Sequence, residues 1–504
     1  MPIVETVNLA EVFPAQLTQY FDLSSNASNN PVFVSGANTY IFVVDGIGDF
    51  TWQIFIRQSV DFGTTWTDVT PGTPKYAGSA PPLGLTYYQI GTVVYIPQIY
   101  TRGDSTQWAR VYRFDLNTLD WLADSSEVQV GFTSMGGNDD FVGFQGAVRG
   151  TEIVCISTNN ADPPVSDQNV LLVYDSISNS WASGPTAIFG ASVLDISSGG
   201  TDSVGRLHFF AGLWPSAARD TSGTFTAQHF IVNADNSLTV RDSIVVVTPF
   251  VVPTHDSGNA AWVSIGQPVF YLDGINQRMA VAIRTDSTTI QVFVSPESLM
   301  PVWTSVATIN AGAGQVFETS SACFMFTASL APLTIAGVTR LYVFWVSQTG
   351  DLWNNPGNSF LYHAYISNSI LSAVTQDWTS SAQLMPGAFY PILFSDVLMG
   401  GFFPIFNGVN FLVDFTCLSE YWLTLALSVT LSADCNDPPN GSIGAPYSHF
   451  LTAADGSPPY TFMLTGGALP AGLSLNPVTG EISGTPTGPT GHYPFTVTVL
   501  ETVD

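Results

Sequence analysis

The feature of this sequence that most constrains the fold is a pair of apolar, strand-like segments that recurs at intervals of roughly 52 to 72 residues. The first segments of the pairs lie at 40–44, 92–96, 153–156, 207–210, 279–283, 341–345 and 410–415. The second segments lie at 54–56, 111–115, 171–175, 230–232, 292–294, 362–366 and 421–427. Such regular recurrence predicts seven β-hairpins of one architecture, because unrelated strands would not keep a common spacing.

The turn that follows the first hairpin carries a compact polar pattern, SVDFGTTW, at 59–66. Asp61 can accept hydrogen bonds from backbone N–H groups of the turn, Gly63 can supply a positive φ, and Trp66 can fold back as an apolar plug. Ser59 and Thr65 occupy the remaining fixed positions of the pattern. These residues predict a tight turn between two strands.

Weaker copies of this turn recur along the chain. They are Asp115 with Trp121, Asp175 with Trp181, and Asp235 without a tryptophan. The aspartates of the first three turns are 54 and 60 residues apart, and Asp235 follows after another 60 residues. The turns therefore repeat with the same period as the hairpins, which indicates one repeating unit of about 60 residues.

The pattern at 59–66 resembles the Asp-box of the sialidase-type and related β-propellers. The turns with Trp121 and Trp181 resemble the kelch form of the same device. Each resemblance covers only one turn. It implies that the turn residues are structural and lie on the outer side of the blades, away from the mouth of the propeller.

A period near 60 residues suits a four-stranded propeller blade with long loops. The sequence therefore predicts an all-β protein in which 1–430 form a β-propeller, with seven blades favoured and six as the alternative. We expect the N-terminal segment, including 2–9, to lend a strand to the last blade, since closing the ring removes exposed sheet edges. A composition with 44 Gly, 32 Pro and 10% charged residues suits short strands and tight turns. The best candidate for a short helix is 14–21.

The sequence pattern changes near residue 431. From there on, short predicted strands of alternating polarity lie between Gly/Pro turns about ten residues apart. Residues 442–499 resemble the putative-Ig module of bacterial and phage surface proteins. The resemblance implies that Leu473, Leu475 and Ile482 point into a core and that Thr479 and Gly480 form a turn. The family pattern continues past Val499 into a further strand. We therefore expect 431–504 to be an Ig-like β-sandwich that lacks its last strand and continues beyond the chain or is completed by another subunit.

Charge excludes several classes of partner. The chain has 39 acidic and 12 basic residues, a net charge of −27, and Lys75 is its single lysine. Such a chain repels phosphate backbones and anionic headgroups, so we expect no nucleic-acid partner. No apolar run reaches transmembrane length, so we expect no membrane insertion. The N-terminal residues lack the pattern of a signal peptide, which favours assembly inside a cell and release with a particle.

Cysteine and histidine give no clear site. Cys155 and Cys323 lie in apolar strand contexts and are expected to be buried thiols. Cys417 and Cys435 flank the domain junction, where a disulfide and two free thiols remain open alternatives. No Cys/His spacing resembles a zinc site, and we expect no metal and no cofactor. Asp139-Asp140 could ligate calcium, although a solvated turn is the favoured interpretation.

The resemblance to sialidases raises the question of catalysis. Proteins of that class use an arginine triad, a Tyr/Glu pair and an aspartate, and none of the eleven arginines stands in the family's N-terminal context. We therefore expect no catalytic residues and no enzyme. Loop aromatics could stack on sugar rings, although blade packing is favoured for each of them. They are Trp214, Trp262, Trp353 and Tyr87-Tyr88.

The sequence supports three functional hypotheses. The first is a non-enzymatic virion surface protein, of a bacteriophage tail, fibre or capsid decoration, with a propeller that binds a host glycan or a neighbouring subunit within an oligomeric assembly. The second is a bacterial extracellular adhesin or cell-surface protein. The third is a sialidase-like glycoside hydrolase. The ligand and the position in any particle do not follow from the sequence.

Overall fold

The structure is a computed structural model that describes most of the chain in segments. The described residues are 4–11, 32–46, 52–72, 75–78, 86–102, 106–133, 141–159, 169–189, 193–196, 199–213, 225–246, 265–273, 275–286, 288–298, 300–310, 328–335, 338–348, 359–367, 374–375, 403–406, 410–417, 421–428, 432–433, 438–454 and 460–501. All regular structure within them is β, in antiparallel sheets. No helix in these segments is long and apolar enough to cross a membrane.

The strand β1 (Val4–Glu11) is followed in the chain by three antiparallel sheets. Sheet 1 contains β2 (Val32–Ser35), β3 (Asn38–Gly46), β4 (Trp52–Ser59), β5 (Thr67–Asp68) and β6 (Tyr76–Gly78). Sheet 2 contains β7 (Tyr88–Ile90), β8 (Val93–Thr101), β9 (Thr106–Asp115), β10 (Asp120–Trp121) and β11 (Val128–Thr133). Sheet 3 contains β12 (Phe141–Arg149), β13 (Glu152–Asn159), β14 (Asn169–Asp175) and β15 (Ser180–Phe189).

Four further antiparallel sheets follow in the chain. Sheet 4 contains β16 (Val193–Ile196), β17 (Gly200–Thr201), β18 (Leu207–Leu213), β19 (Phe225–Val232) and β20 (Leu238–Val246). Sheet 5 contains β21 (Val269–Asp273), β22 (Asn276–Asp286), β23 (Thr289–Pro296) and β24 (Thr304–Asn310). Sheet 6 contains β25 (Ala328–Ile335), β26 (Val338–Gln348), β27 (Ser359–Ser367) and β28 (Val374–Thr375). Sheet 7 contains β29 (Phe403–Phe406), β30 (Asn410–Cys417) and β31 (Tyr421–Ser428).

The recurring hairpins of the sequence form the central strands of these sheets. Each predicted segment falls inside a strand, from β3 and β4 in sheet 1 to β30 and β31 in sheet 7, except that 92–96 begins one residue before β8. Successive side chains of each strand point to opposite faces of its sheet, and many strands show this as an alternation of burial. In β9, for example, Gln107, Ala109 and Val111 are buried while the residues between them are half-exposed.

The sheets pack face to face in chain order, as the blades of a propeller do. Hydrophobic clusters join sheet 1 to sheet 2, sheet 2 to sheet 3, sheet 3 to sheet 4, and sheet 5 to sheet 6. Sheets 4 and 5 meet through aromatic contacts, including Phe210 with Trp303 at 5.2 Å between ring centroids. The protein is therefore an all-β propeller followed by an Ig-like domain. The preference for seven blades over six stays a prediction.

The N-terminal strand joins the last propeller sheet. β1 pairs antiparallel with β31, and sheet 7 has the order β1, β31, β30, β29. The edge of β31 that would otherwise face solvent is thus covered by a strand from the other end of the propeller sequence. This pairing confirms the expectation that the N-terminal segment completes the last sheet.

The C-terminal region folds into small sheets. Its strands are β32 (Ser432–Ala433), β33 (Tyr447–Phe450), β34 (Ala453–Ala454), β35 (Tyr460–Gly467), β36 (Leu473–Leu475), β37 (Glu481–Gly484) and β38 (Phe495–Glu501). Phe462 and Ile482 are buried, whereas Leu473 and Leu475 are only half-buried. Gly480 has a φ of 70° in the predicted turn, and its N–H donates to the Asn476 carbonyl at 3.0 Å. The domain boundary at 430/431 and a missing last strand stay predictions.

Several expectations fall on residues that the structure does not describe. They are the short helix at 14–21, Cys323, Cys435, the Asp139-Asp140 turn, and Trp214, Trp262 and Trp353. The question of a disulfide between Cys417 and Cys435 lies outside the described residues for the same reason. Cys155 is a fully buried free thiol in the core between sheets 2 and 3, and burial raises its pKa above the usual range.

Candidate functional site

The turn at 59–66 is organised by one carboxylate. Asp61 Oδ1 accepts hydrogen bonds from the Ser59 hydroxyl at 2.8 Å and from the Thr65 N–H at 2.8 Å. Asp61 Oδ2 accepts a third from the Thr65 hydroxyl at 2.7 Å. Ser59 Oγ in turn accepts from the Gly63 N–H at 2.6 Å. Gly63 has a φ of 85°, and Phe62 adopts a positive φ of 51° as well, a conformation that the sequence pattern did not indicate.

The later turns use their aspartates in a similar way. Asp115 Oδ1 accepts from the Asn117 N–H at 2.9 Å, and Asp175 Oδ1 accepts from the Ile177 N–H at 3.1 Å. Trp121 packs edge-on against Phe114, with 5.2 Å between ring centroids, and Trp181 packs edge-on against Tyr174 at 5.6 Å. Each carboxylate therefore closes a turn, and each tryptophan packs beside its own strand.

These tryptophans also help to join neighbouring blades. Trp121 packs on the core between sheets 1 and 2, and Trp181 packs on the core between sheets 2 and 3. In sheet 4, Leu238 pairs with Val232 across the turn and packs on the core between sheets 3 and 4. The same register position thus holds an apolar side chain even where the tryptophan is missing, which indicates a structural role for this position.

Sheet 2 places a different set of side chains at the end opposite to the Asp115 turn. The register pairs Val93 with Asp115 at the turn end and Thr101 with Gln107 at the other end. On one face, the fully buried Val94 and Phe114 lie near the turn. Further along the same face, towards the other end of the sheet, the side chains carry aromatic, amide and guanidinium groups. We call this set the arginine–aromatic cluster, which consists of Gln98, Tyr100, Arg102, Trp108 and Arg110.

The two arginines of the cluster lie over aromatic rings. The Arg102 guanidinium is 3.6 Å from the centroid of Trp108, and the Arg110 guanidinium is 4.4 Å from the centroid of Tyr100. Arg110 Nε also donates to Gln98 Oε1 at 2.9 Å. These contacts hold both planar cations in fixed orientations, since a guanidinium stacked on an aromatic face loses most of its rotational freedom.

A carboxylate partly neutralises the cluster. Glu127 accepts a hydrogen bond from Arg102, whose side chain is 39% exposed. The Tyr100 hydroxyl lowers the pKa of Glu127 by hydrogen bonding to it, and Arg102 lowers it further. Burial raises the pKa of Tyr100, and Glu127 raises it further. The cluster therefore presents fixed, partly exposed cations beside aromatic edges, and Glu127 is a carboxylate within the chain that pairs with one of them.

The sequence indicated none of these residues. The aromatics that it did indicate behave differently, because Tyr87 and Tyr88 are 3% and 5% exposed and belong to two separate cores. Arg57 and Arg113 contact Asp68 and the Ala123 carbonyl on their own sheets. The available signal was the alternation of Trp108, Arg110 and Tyr112 on one strand, but without the register of β8 it does not predict a cluster.

The described residues contain no group of three or more His, Cys, Asp or Glu side chains arranged to hold a metal ion. The turn carboxylates are engaged in hydrogen bonds to their own turns. Among the described residues, the arginine–aromatic cluster is the arrangement that could bind a partner.

Comparison with known sequences identifies the C-terminal region. Residues 428–503 match the family described as Putative Ig domain. No curated protein sequence matches the chain.

Three solved structures are similar to the chain at low identity. A Trypanosoma rangeli sialidase in complex with sialic acid is 11% identical over 84% of this chain, with a TM-score of 0.39, and the chain spans 59% of that protein. An ulvan lyase of polysaccharide lyase family PL25 is 10% identical over 83% of this chain and 96% of its own, with a TM-score of 0.45. The endosialidase of phage phi92 is 10% identical over 97% of this chain and 80% of its own, with a TM-score of 0.39. No activity follows from any of them.

Proposed function

We propose that this chain is a non-enzymatic surface protein of a virus particle, of a bacteriophage tail, fibre or capsid decoration, whose propeller binds a carboxylate-bearing partner. The arginine–aromatic cluster is the binding site, and an acidic glycan is the first choice of ligand. The observation that carries the proposal is the pair of stacked, half-exposed arginines on a protein with a net charge of −27. Cations held in this way offer an anionic ligand a localised site on a surface that otherwise repels it.

The surface location rests on the combination of domains. A propeller joined to a Putative Ig domain at 428–503 suits a rigid binding head on a β-rich spacer. The resemblance of that domain to modules of phage and bacterial surface proteins supports a particle or cell surface. The same module keeps a bacterial adhesin as the second candidate. Mass spectrometry of purified virions decides between them, because only the first candidate predicts the chain among the virion proteins.

A glycoside hydrolase is disfavoured by the state of the turn carboxylates. Most glycosidases hydrolyse the bond with two carboxyl groups that flank it, and the sialidase class does so with a Tyr/Glu pair and an aspartate. Asp61, Asp115 and Asp175 instead accept backbone N–H groups within their turns. Release of sugar from sialosides or host polysaccharide by the purified protein would reverse this conclusion.

The binding site is tested by affinity for acidic and neutral glycans on an array, followed by titration of the best ligand. We expect Trp108→Ala and Arg102→Ala to weaken binding of acidic glycans at least tenfold, since each removes one half of a stacked pair. Glu127→Gln should strengthen binding, because it frees Arg102 from its internal carboxylate. Binding should weaken with added salt.

The matched control is Asn117→Ala, which changes an exposed residue in the turn at the opposite end of the same sheet. The proposal fails if Asn117→Ala and Trp108→Ala weaken binding equally, or if acidic and neutral glycans bind alike in all variants.

A further inference from the structure

Three ionisable side chains form a buried hydrogen-bonded chain in sheet 4. Asp202 Oδ2 lies 3.0 Å from His208 Nε2, and His208 Nδ1 lies 3.0 Å from His229 Nε2. Both histidines are fully buried, and Asp202 is 5% exposed. Asp202 lies in the turn before β18, whereas the two histidines lie on the neighbouring strands β18 and β19.

The chain of bonds leaves one nitrogen unsatisfied in every proton arrangement. When His208 is neutral, it donates to Asp202 through Nε2 and accepts from His229 Nε2, so His229 Nδ1 carries a lone pair. When His208 is charged, it donates from both nitrogens, and His229 Nδ1 carries the proton instead. In both cases Nδ1 of His229 is buried without a hydrogen-bond partner. A charged His229 would carry N–H groups on both nitrogens, and its Nδ1–H would have no acceptor.

This chain lies where sheet 4 meets sheet 5. Trp303, from the turn before β24, packs edge-on against His229 at 5.5 Å between ring centroids, and Phe270 of β21 packs against His208 at 5.3 Å. The opposite face of sheet 4 packs on sheet 3 through an apolar cluster that contains none of these polar groups. A positive charge on His208 or His229 therefore affects the interface between sheets 4 and 5 and not the interface between sheets 3 and 4.

The cations around the pair make protonation of His229 unfavourable. Arg206 contacts Asp202, and Arg241 on β20 lowers the proton affinity of His229. From sheet 5, Glu297 accepts a hydrogen bond from the Ser203 N–H at 2.7 Å in the same turn. Burial, followed by the positive charges of His208 and Arg241, lowers the pKa of His229 to about 3.

Acid should therefore weaken this interface. A histidine whose pKa is lowered in the closed state takes up its proton preferentially in the opened state, so stability falls as pH drops from about 6.5 towards about 3. For Asp202, burial raises the pKa, but hydrogen bonds from His208 and Arg206 outweigh it and lower the value to about 2. The stability that Asp202 contributes is fully present above the ordinary aspartate pKa and is lost as the pH falls below it. Acid therefore weakens the interface through both His229 and Asp202.

We propose that Asp202, His208 and His229 form an acid-sensitive latch that holds sheet 4 against sheet 5 while His229 is neutral and releases the contact when His229 is protonated. The latch is independent of the arginine–aromatic cluster, which lies on sheet 2.

The latch is tested on the full chain by amide hydrogen exchange between pH 7 and pH 4, expressed as protection factors so that the intrinsic pH dependence of exchange is removed. Protection of β18 and β19 should fall, by up to tenfold per pH unit for one linked proton. Protection of β13 and β14 in sheet 3 should stay constant over the same range. Constant protection of β18 and β19, or an equal fall in sheet 3, overturns the proposal.

Two substitutions make the assignment specific. His229→Phe keeps an aromatic ring against Phe210 and Trp303 but cannot be protonated, and His229→Gln keeps a polar partner for His208. Either variant should remove most of the acid-dependent loss in β18 and β19 and leave the smaller part that comes from Asp202. His449→Gln removes an imidazole from the Ig-like domain and should leave that loss unchanged. Persistence of the full acid response in both His229 variants overturns the proposal, and the wild-type profile remains decisive if one variant does not fold.

Discussion

At the scale of single residues, the propeller turns are closed by carboxylates that accept backbone hydrogen bonds. Asp61 accepts three bonds from Ser59 and Thr65, and Asp175 accepts from the Ser178 hydroxyl at 2.8 Å as well as from backbone N–H groups. The Ser178 hydrogen bond lowers the pKa of Asp175. Because the ionised form is the better acceptor, each turn is strongest while its aspartate is charged.

Removal of the Asp61 carboxylate should destabilise sheet 1. Asp61→Ala leaves the Thr65 N–H without its acceptor, and we expect a loss of about 1–3 kcal/mol in urea unfolding followed by fluorescence. Burial raises the pKa of Asp61, but hydrogen bonds from Thr65 and Ser59 lower it overall. The difference from wild type should therefore be constant above pH 5 and shrink as pH falls through that lowered pKa. Thr64→Ala, which removes one exposed bond to the Asp61 carbonyl, is the control.

Alanine substitution of two glycines in the Ig-like domain can distinguish the cost of backbone strain from the cost of steric overlap. Gly480 and Gly444 have φ values of 70° and 78°. A Cβ on Gly480 would lie 2.6 Å from the Leu451 carbonyl oxygen, whereas a Cβ on Gly444 would meet nothing within 4 Å. We expect Gly444→Ala to cost about 1 kcal/mol and Gly480→Ala at least about twice that, measured by hydrogen exchange of β35 and β37. Equal costs would show that the overlap is relieved without strain.

At the scale of strands and turns, polar contacts between outer turns supplement the apolar cores. The contacts that cross between sheets include Lys75 with Asp124 at 2.6 Å, the Asn179 amide with the Asp124 carbonyl at 3.0 Å, Arg149 with the Asn233 carbonyl at 2.8 Å, and the Ser203 N–H with Glu297 at 2.7 Å. They join sheets 1 to 5 in sequence order. Each involves a turn, so loops here fix the spacing of blades as well as connecting strands.

Substitution of Lys75 tests how much these polar contacts between sheets contribute to stability. Its ammonium group pairs with Asp124 and lies 5.5 Å and 5.9 Å from the ring centroids of Tyr112 and Trp121. Lys75→Met should cost about 1 kcal/mol, and Asp124→Asn less, because the second variant keeps the contacts between cation and rings. Urea unfolding at low and high salt measures both. As the single lysine, Lys75 should react slowly with an amine-specific reagent in the wild type and faster in Asp124→Asn.

The strands were predictable from sequence, whereas the candidate site was not. Segments such as 171–175 can be predicted as strands because apolar periodicity is a local property of the sequence, and β14 contains that segment. The arginine–aromatic cluster depends on which residue of β8 faces which residue of β9, and register is set by the whole hairpin. The pair of His208 and His229, 21 residues apart, became visible only through the register of β18 and β19. Leu238 was missed because the pattern required a tryptophan.

At the scale of the whole molecule, the two ends of the propeller sequence are joined by backbone pairing. β1 covers one edge of β31, while β30 covers the other. A ladder between segments so distant in sequence can form only after the last hairpin has been synthesised, and it pays a large loop-closure entropy. The integrity of the propeller should therefore depend on a strand that belongs to no hairpin repeat.

Deletion of 1–11 tests this dependence. The variant loses the pairing of β1 with β31 and exposes the hydrogen-bonding edge of β31 to solvent. At about 1 kcal/mol for each backbone hydrogen bond, the loss should lower the thermal midpoint by about 5 °C and promote association between molecules. Calorimetry and light scattering measure the two effects, with deletion of 1–3 as the control that leaves β1 intact. Addition of a peptide with the sequence of 4–11 should restore part of the lost midpoint, because it can refill the same edge. An unchanged midpoint in the longer deletion would show that sheet 7 is stable without its N-terminal strand.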